Sequence, residues 1–284
     1  MNGPIVTGFD GSPESVSAAH WAARESMRRK LPLELLQAWP WREPHVLGTE
    51  DAVRWGRQQL ARQEVELRAR LSGVEVSAVH IPQPPAAALE AAGRSASMLV
   101  LGSRGLGALR GFLIGSVSQE VLAAAACPVV LVRADDGGAF TDGSGVVLAL
   151  DLSHPGEAVV DFAFEAAALR SAPLRVVHAW EPPMGSEFAV LAAFGSLEQE
   201  LAVDAAQRLT EALEPWRAKY PQVRVEAGAV HGPAAREVVE AAAGAGLVVV
   251  GRRARRAPVG LHLGTVTQAV VHHVHAPVAV VPFG

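Results

Sequence analysis

Cysteine, tyrosine and lysine are scarce in this chain of 284 residues. Cys127 is the single cysteine, which excludes an internal disulfide framework and fits a reducing compartment. The formal net charge is only -4 at pH 7, with acidic and basic residues interspersed, so no bulk charge attracts the chain to nucleic acid or to an anionic membrane. These absences exclude disulfide scaffolds and charge-driven partners.

Long apolar runs and a secretory leader pattern are also missing. Residues 1–15 lack a basic n-region and an apolar h-region, and no uninterrupted apolar stretch reaches the length of a membrane span. We therefore expect a cytoplasmic protein with no membrane partner. Half of the residues are hydrophobic and 19% are charged, which is typical of globular proteins, and the length suits two domains.

The second half of the chain repeats the first. IVTGFDG matches VVLALDL, which aligns Asp10 with Asp151 at an offset of 141 residues. LVLGSRG matches VVVGRRA, which aligns Gly102 with Gly251 at an offset of 149 residues, so the second half has a net insertion, placed around PPMGSEFAVLAAFGS. The sequence predicts copy one over residues 1–134, copy two over residues 145–284 and a Gly/Asp-rich linker over residues 135–144.

Each copy alternates short apolar, β-branched runs with longer segments of helical period. The runs are nearly continuously hydrophobic, which indicates burial on both faces and parallel pairing. The predicted fold is α/β, with two tandem doubly wound domains that each hold a five-stranded parallel sheet. The predicted strands are 4–9, 33–39, 74–79, 97–102 and 128–132, then 145–150, 173–179, 223–229, 246–251 and 277–281. The predicted helices of copy one are 13–30, 50–72, 85–95 and 115–126.

A glycine-rich stretch, LGSRGLGALRGFLIGS, follows the fourth strand and precedes a helix. It does not fit a P-loop, because neither lysine, Lys30 or Lys219, lies near it. It does not fit the dinucleotide fingerprint either, because Gly105, Gly107 and Gly111 have the wrong spacing. Both familiar phosphate motifs are therefore excluded.

What remains is Gly102-x-x-Gly105, nine residues, and then Gly115-Ser116 at a helix start. In doubly wound sheets, ligands bind beyond the carboxyl ends of the strands, where the strand order reverses. Gly102 and Gly105 would allow a sharp turn and a close approach to an anion. Gly115 and Ser116 would expose unpaired N–H groups of the first helical turn. The stretch is predicted to wrap phosphates.

The pattern resembles the universal stress protein family, whose nucleotide-binding members carry Gly-x-x-Gly-x9-Gly-Ser/Thr/Asn. The resemblance covers nearly all of both copies: FDGSP after the first strand, QAW ending the second, the glycine loop, and a last strand CPVVLV. It implies a domain similar to the adenine nucleotide alpha hydrolases that binds ATP, with or without Mg²⁺.

The resemblance also implies roles for single residues. It places Asp10, with Gly11 beside it, near the adenine and ribose, and Ala38 at the end of the second strand as a main-chain contact. The phosphate positions in copy one are Gly102, Arg104, Gly105, Gly115, Ser116, Val117 and Ser118. The alternative interpretation is that Asp10 only caps the turn DGSP and that the glycines only form a loop.

Copy two departs from the pattern at two glycines. The second loop glycine is Ala254, and the glycine after the aspartate is Leu152. If the loop position requires a positive φ, alanine costs about 1 kcal/mol or more there, and the neighbouring RRARR run can offset this by pairing with phosphate oxygens. Three interpretations of copy two stay open: it binds nucleotide, it binds nucleotide weakly, or it only braces copy one. Binding is favoured, through Asp151, Gly251, Arg253, Gly264, Thr265 and Thr267.

Other patterns favour structural roles. His272, His273 and His275 lie near a predicted helix C-terminus, where histidine suits the dipole, and no metal site is predicted. The RRARR run lacks interleaved aromatic residues, so nucleic acid is not predicted as a partner. No Gly-x-Ser-x-Gly or HExxH motif occurs, and no catalytic residue is assigned. Five tryptophans are interpreted as packing residues: Trp39, Trp41, Trp55, Trp180 and Trp216.

The leading hypothesis is an ATP-binding, nucleotide-responsive regulator of stress or dormancy physiology, not a metabolic enzyme. The alternatives are a slow ATP or nucleotide hydrolase on the same fold and a nucleotide-free interaction scaffold. The last strands, PVVLVR and PVAVVPFG, are apolar edges that favour pairing. We therefore predict that the two copies pair about a pseudo-twofold axis, and that whole chains form a homodimer.

Overall fold

The chain folds into two compact units of alternating strands and helices. The computed structural model describes residues 3–39, 49–103, 114–134, 145–181, 196–253 and 263–284. Of these, the first unit holds the residues up to 134 together with 263 and 277–282, and the second holds 145–253, 264–276 and 283–284. The predicted linker at 135–144 and the predicted insertion around 182–196 lie outside the described residues, apart from residue 196.

The first copy supplies five strands and four helices of the described chain. The strands are β1 (Ile5–Gly8), β2 (Leu33–Ala38), β3 (Val76–Ile81), β4 (Met98–Gly102) and β5 (Val129–Val132). The helices are α1 (Pro13–Arg29), α2 (Thr49–Arg70), α3 (Pro85–Ala92) and α4 (Ser116–Ala124). Every residue of β4 and β5 is buried, as the unbroken apolar runs predict.

The sheet of the first unit has the order β3-β2-β1-β4-β5, followed by a last strand, β10 (Val278–Phe283), whose residues 278–282 belong to this unit. The pairs within copy one are parallel. β10 is antiparallel to β5, with Val278 opposite Leu131 and Val280 opposite Val129. The strand order reverses at β1, which pairs with β2 on one side and β4 on the other, and this is where ligands bind in open α/β sheets.

Copy two supplies the second unit. Its strands are β6 (Val146–Ala149), β7 (Leu174–Trp180), β8 (Val225–His231) and β9 (Leu247–Arg253), in the parallel order β9-β6-β7-β8. Its described helices are α5 (Glu157–Arg170), α6 (Ser196–Lys219), α7 (Ala234–Ala241) and α8 (Thr265–His273). The strand order reverses at β6, as it does at β1.

Local signals explain where α1 begins and ends. Ser12 is the N-cap, and its hydroxyl accepts the Ser15 N–H at 3.2 Å, while Pro13 takes the first helical position. The helix ends at Lys30, which adopts the left-handed conformation with φ 54°. The buried face carries Trp21, which is 3% exposed.

The structure confirms the α/β prediction and the pairing of the two last strands. The third strand of each copy begins and ends two residues later than predicted, because β3 pairs with β2, and β8 with β7, along the full length of those strands. Ala38 is opposite Ile81, and Trp180 is opposite His231. The pseudo-twofold axis stays a prediction. None of the helices in the described ranges is both long and apolar enough to cross a membrane.

Candidate functional site

The predicted site of copy one lies where β1 and β4 end side by side. Asp10 follows β1 by two residues, Gly102 is the last residue of β4, and α4 begins at Ser116. β1 and β4 are paired neighbours, with Ile5 opposite Met98. The turn after β1 and the N-terminus of α4 therefore follow adjacent strands at one edge of the sheet.

Hydrogen bonds fix the turn that contains Asp10. The Ser12 N–H donates to the Asp10 carboxylate oxygen Oδ1 at 2.9 Å, and the Gly11 N–H donates to Ser15 Oγ at 3.1 Å. Gly11 has φ +84°, a conformation that glycine adopts without strain. The interpretation of Asp10 as a turn-capping residue is therefore confirmed. Any role of Asp10 toward a ligand comes in addition to it.

The two ends of the glycine stretch are joined to each other. The Ser103 carbonyl accepts the Gly115 N–H at 2.8 Å, and the Gly102 carbonyl accepts the Ser118 hydroxyl at 3.0 Å. The prediction that Gly115 exposes an unpaired N–H is therefore wrong, and the Ser118 hydroxyl proton is already donated. The sharp turn predicted at Gly102 is also wrong, because Gly102 is a strand residue opposite Val132.

The first turn of α4 has main-chain amides that suit an anion. Gly115 is its N-cap, with φ -73° and ψ 154°, and no side chain caps the helix among the described residues. The amides of Ser116, Val117 and Ser118 occupy the first turn, where α-helices have no internal acceptors. The helix dipole adds a partial positive charge there. Arg104 and Gly105 lie outside the described residues.

The end of β2 carries Ala38 and an exposed tryptophan. Ala38 is opposite Ile81, whose carbonyl accepts the Trp39 N–H at 3.2 Å. The packing interpretation holds only in part for Trp39, which is 47% exposed, and for Trp55, which is 45% exposed. It is confirmed for Trp216, whose ring centroid lies 6.4 Å from that of Phe164. Trp41 lies outside the described residues.

A partly buried polar chain links β2 to α2 and β3 beside the site. The Gln37 amide Nε2 donates to the Gly56 carbonyl at 3.1 Å, and the His80 Nδ1 lies 3.2 Å from Gln37 Oε1. Burial, and next the nearby Arg57, lower the pKa of His80. The imidazole is therefore neutral near pH 7 and can donate from Nδ1. Sequence reasoning missed this chain, because its members are far apart in the sequence.

Copy two repeats the aspartate turn with different surroundings. The Ser153 N–H donates to Asp151 Oδ1 at 2.9 Å, and the His154 Nδ1 lies 3.2 Å from Asp151 Oδ2. Both carboxylate oxygens of Asp151 therefore contact its own loop. Leu152 replaces the glycine, and it is not among the residues with a positive φ. The turn conformation of copy one is thus not repeated.

The motif glycines of copy two also have other neighbours. The Gly251 carbonyl accepts the Thr267 hydroxyl at 3.0 Å. A Cβ atom at Gly251 would lie 2.7 Å from Phe283 Cε1, and one at Gly156 would lie 2.6 Å from Phe283 Cγ. The Phe283 ring therefore fills the space beside both glycines. At the offset of 149 residues, its counterpart in copy one is Ala134.

The other predicted residues of copy two lie at the ends of β9 and α8. Arg253 is the last residue of β9 and is exposed. Gly264 is the N-cap of α8, with φ -57° and ψ 155°, and no side chain caps this helix among the described residues. Thr265 is its first residue. Ala254 lies outside the described ranges.

The histidine group noted in the sequence lies at the end of α8. His272 and His273 occupy its last turn, as the sequence predicts. Within the part of the chain that the structure describes, no group of three or more His, Cys, Asp or Glu residues has the arrangement of a metal site.

Comparison with known proteins assigns the chain to a family. The sequence model of the universal stress protein family matches residues 1–133 and 145–282. The chain belongs to the universal stress protein family. It is 34% identical to a universal stress protein of Mycobacterium tuberculosis over 294 residues, covering 97% of this chain and 96% of the relative. A family protein of Mycolicibacterium smegmatis is 32% identical over 293 residues, covering 98% and 96%.

Solved structures agree with the family assignment at the level of the fold. A universal stress protein from Archaeoglobus fulgidus superposes with a TM-score of 0.69 at 15% identity, over 100% of both chains. A functionally unknown protein from Pseudomonas aeruginosa superposes with a TM-score of 0.60 at 17% identity, over 98% of this chain and 92% of that one. The resemblance drawn from the sequence motifs is confirmed, and so is the tandem α/β fold.

Proposed function

We propose that this universal stress protein binds ATP in copy one and acts as a cytoplasmic, nucleotide-responsive regulator of stress or dormancy physiology. The observation that supports this most is the N-terminus of α4 at Gly115–Ser118, where no side chain of the described residues caps the helix. A helix N-terminus next to a strand-order reversal suits a polyphosphate, because the first-turn amides have no acceptor within the helix. The Gly-x-x-Gly-x9-Gly-Ser spacing leads into it.

In the proposed complex, each part of the nucleotide has a protein partner. The amides of Ser116, Val117 and Ser118 donate to the phosphates, and Arg104 adds a charge-assisted bond. Asp10, held by its turn, accepts from the ribose hydroxyls, and the main chain at Ala38 contacts the adenine. Mg²⁺, where present, neutralises phosphate charge. Ser118 contributes its amide, since its hydroxyl already donates to Gly102.

We propose that copy two binds ATP more weakly. Its candidate residues are Asp151, Gly251, Arg253, Gly264, Thr265 and Thr267. Two features of copy two weaken ATP binding. The His154 Nδ1 lies 3.2 Å from Asp151 Oδ2, and Leu152 stands where copy one has a left-handed glycine. Phe283 packs against Gly251, so the need for glycine at this position is explained without a ligand. The start of α8, where no side chain of the described ranges caps the helix, favours residual binding.

A matched pair of variants tests the proposal. Gly115 and Gly264 both have extended backbone angles that any residue adopts, so glutamate at either position leaves the backbone unstrained. G115E places a carboxylate against the phosphate amides and should weaken ATP binding by at least about a hundredfold, equivalent to about 2.8 kcal/mol. G264E should keep the tight site. Equilibrium dialysis with labelled ATP measures both.

Melting temperatures supply the control for folding, and both variants should melt close to the wild type. Unchanged ATP affinity in G115E would refute the site. Release of ADP by the wild type, measured in the same samples, separates the regulator from the hydrolase. No residue of the site is assigned as a base, so we expect at most slow turnover. Steady turnover that disappears in D10A would replace the regulator with an enzyme.

We also propose the domain division 1–134 and 145–284 with a linker at 135–144, the pairing of the copies about a pseudo-twofold axis, and a homodimer of whole chains. The antiparallel pairing of β10 with β5 supports the pseudo-twofold. Sedimentation equilibrium should show a mass about twice that of the chain. A single species of 29.7 kDa would contradict the homodimer.

A further inference from the structure

The ring of Trp55 lies over the turn that contains Asp10. A Cβ atom at Gly11 would be 3.2 Å from Trp55 Cη2 and 3.5 Å from Cζ3, so the ring edge lies beside Gly11 where a side chain would be. The side chain is nevertheless 45% exposed. Trp55 therefore has one edge on the turn and much of its surface in solvent.

Trp39 lies at the same edge of the sheet. Gly8 is opposite Leu36, and Gly11 and Trp39 each follow by three residues, so both lie equally far past the ends of paired strands. Trp39 is 47% exposed. Two half-exposed indole side chains thus belong to residues at the edge of the sheet that carries the turn of Asp10. Exposed aromatic side chains at the ligand-binding edge of such a sheet suit contact with a ligand.

A buried amide holds Trp55 in position. Gln37 is only 6% exposed, and its Nε2 donates to the carbonyl of Gly56, the residue directly after Trp55. A Cβ atom at Gly56 would lie 3.2 Å from Gln37 Nε2, so the absence of a side chain permits this close approach. His80 lies 3.2 Å from Gln37 Oε1 and orients the amide. Burying a polar group is costly unless it is paired, and here the pairing fixes α2 at Trp55.

Copy two lacks each part of this arrangement. At the offset of 149 residues, Trp55 aligns with Asp204, Gly56 with Ala205 and His80 with Ala229. The counterpart of Gln37 is His178, whose Nδ1 lies 3.0 Å from the Leu150 carbonyl of its own unit. The fold does not require the arrangement, because copy two has the same fold without it. A role specific to copy one is the remaining explanation.

We propose that Trp55 is the aromatic platform on which the nucleobase stacks, and that Gln37 is its positioning residue. The inference rests on the proposed function, because it assigns the base-contacting surface of the same site. Stacking on an indole is tolerant of the base, since every base has a π-face. Trp55 therefore selects nucleosides and nucleotides over bare polyphosphates, and it does not select adenine over guanine.

The test uses the full chain and three probes: ATP, adenosine and inorganic tripolyphosphate. W55A should weaken ATP and adenosine on the order of tenfold to a hundredfold and leave tripolyphosphate unchanged. W55F should retain most of the affinity, because the phenyl ring still stacks. Q37M, which keeps the buried volume but removes the bond to Gly56, should weaken ATP less than W55A and spare tripolyphosphate. Melting curves verify that each variant is folded.

Fluorescence provides a second readout. ATP should quench the tryptophan emission of the wild type, and W55F should lose most of that quenching while it still binds. If W55A binds ATP like the wild type, the stacking inference is overturned while the proposed function stands. An equal loss of affinity for ATP and tripolyphosphate would also overturn it, because that result would indicate a role in shaping the loop. If the wild type binds neither ATP nor tripolyphosphate, the proposed function fails and this inference fails with it.

Discussion

The turns after β1 and β6 are built by the same bond and differ in everything around it. In each, a serine N–H donates to an aspartate Oδ1 at 2.9 Å, from Ser12 to Asp10 and from Ser153 to Asp151. Around Asp10 lie a left-handed glycine and the Trp55 ring, whereas His154 lies on Asp151. The bond that both copies keep therefore serves the fold, and the differences are where function is to be sought.

The ends of β4 and β9 give the same lesson for the motif glycines. The carbonyls of Gly102 and Gly251 each accept a hydroxyl at 3.0 Å, from Ser118 and Thr267. Gly251 is also packed against Phe283, so copy two needs glycine there without any ligand. A retained motif residue thus has a physical reason that must be separated from binding before it counts as evidence for a site.

After the pair G115E and G264E, the largest effect is expected from the two aspartates. D10A and D151A remove the same turn bond, so each should lower the free energy of unfolding by a similar amount, about 1 kcal/mol. Only D10A also removes the proposed partner of the ribose. It should weaken ATP on the order of tenfold to a hundredfold, the range of a hydrogen bond to a charged group. Calorimetric titration gives the affinities, and urea unfolding gives the stabilities.

D151A is the matched control, because its turn has the same serine-to-aspartate hydrogen bond. Equal losses of ATP affinity in the two variants would make the two copies functionally equivalent. A normal affinity in D10A would leave that residue with the turn-capping role alone.

A smaller effect is expected from filling the space at Gly251. G251A places a methyl group 2.7 Å from the Phe283 ring, which must shift. Overpacking of this kind costs about 1–2 kcal/mol here, at the low end of its usual range, because Phe283 is near the chain end and only partly buried. In an F283A background, the same change should cost much less. The double-mutant cycle in urea measures this coupling.

An additive cycle would mean that Phe283 is not the reason for glycine at 251. The ligand-based explanation of Gly251 would then gain weight, and copy two would become the stronger candidate for a second full site.

The smallest effect concerns pH and His80, which copy two replaces with Ala229. Burial and Arg57 lower the pKa of His80 below its ordinary value of 6.5. As the pH falls through 6.5, the unfolded chain takes up a proton that the folded protein resists, so stability is full above this pH and declines below it. H80Q should reduce that decline by less than about 1 kcal/mol between pH 7.5 and 5.5.

Urea unfolding at the two pH values measures the decline. The pKa of His20 is also lowered by burial, so H80Q retains part of the slope, and H20Q is the comparison variant. An identical slope in H80Q and the wild type would show that His80 titrates alike in both states.

The fold could be predicted because its signals are local and repeated. Apolar runs such as MLVLG mark buried strands, SP before α1 marks a helix start, and the repeat with itself fixes the tandem order. The third strands were misplaced by two residues, because a strand end depends on the neighbouring strand. Nothing in the local sequence around Ile81 indicates that β2 continues to Ala38, the residue opposite Ile81.

The candidate site was predictable only in outline. The spacing located Gly102 and Gly115 at the strand end and helix start, but it did not reveal that Gly115 already donates to Ser103. The sequence does not reveal that Trp55 lies beside Gly11, because this contact joins two distant segments. Tertiary contacts of this kind leave no periodic trace in the sequence. The differences between the two copies at these positions become visible only in three dimensions.

The central claim is that copy one carries the tight nucleotide site and copy two does not. Isothermal titration of the wild-type chain with ATP tests it most directly, at ATP concentrations that saturate only the stronger site. The account predicts a single tight site per chain, abolished by G115E and kept by G264E. Two sites of equal affinity, or a single tight site that survives G115E and is lost in G264E, would contradict it.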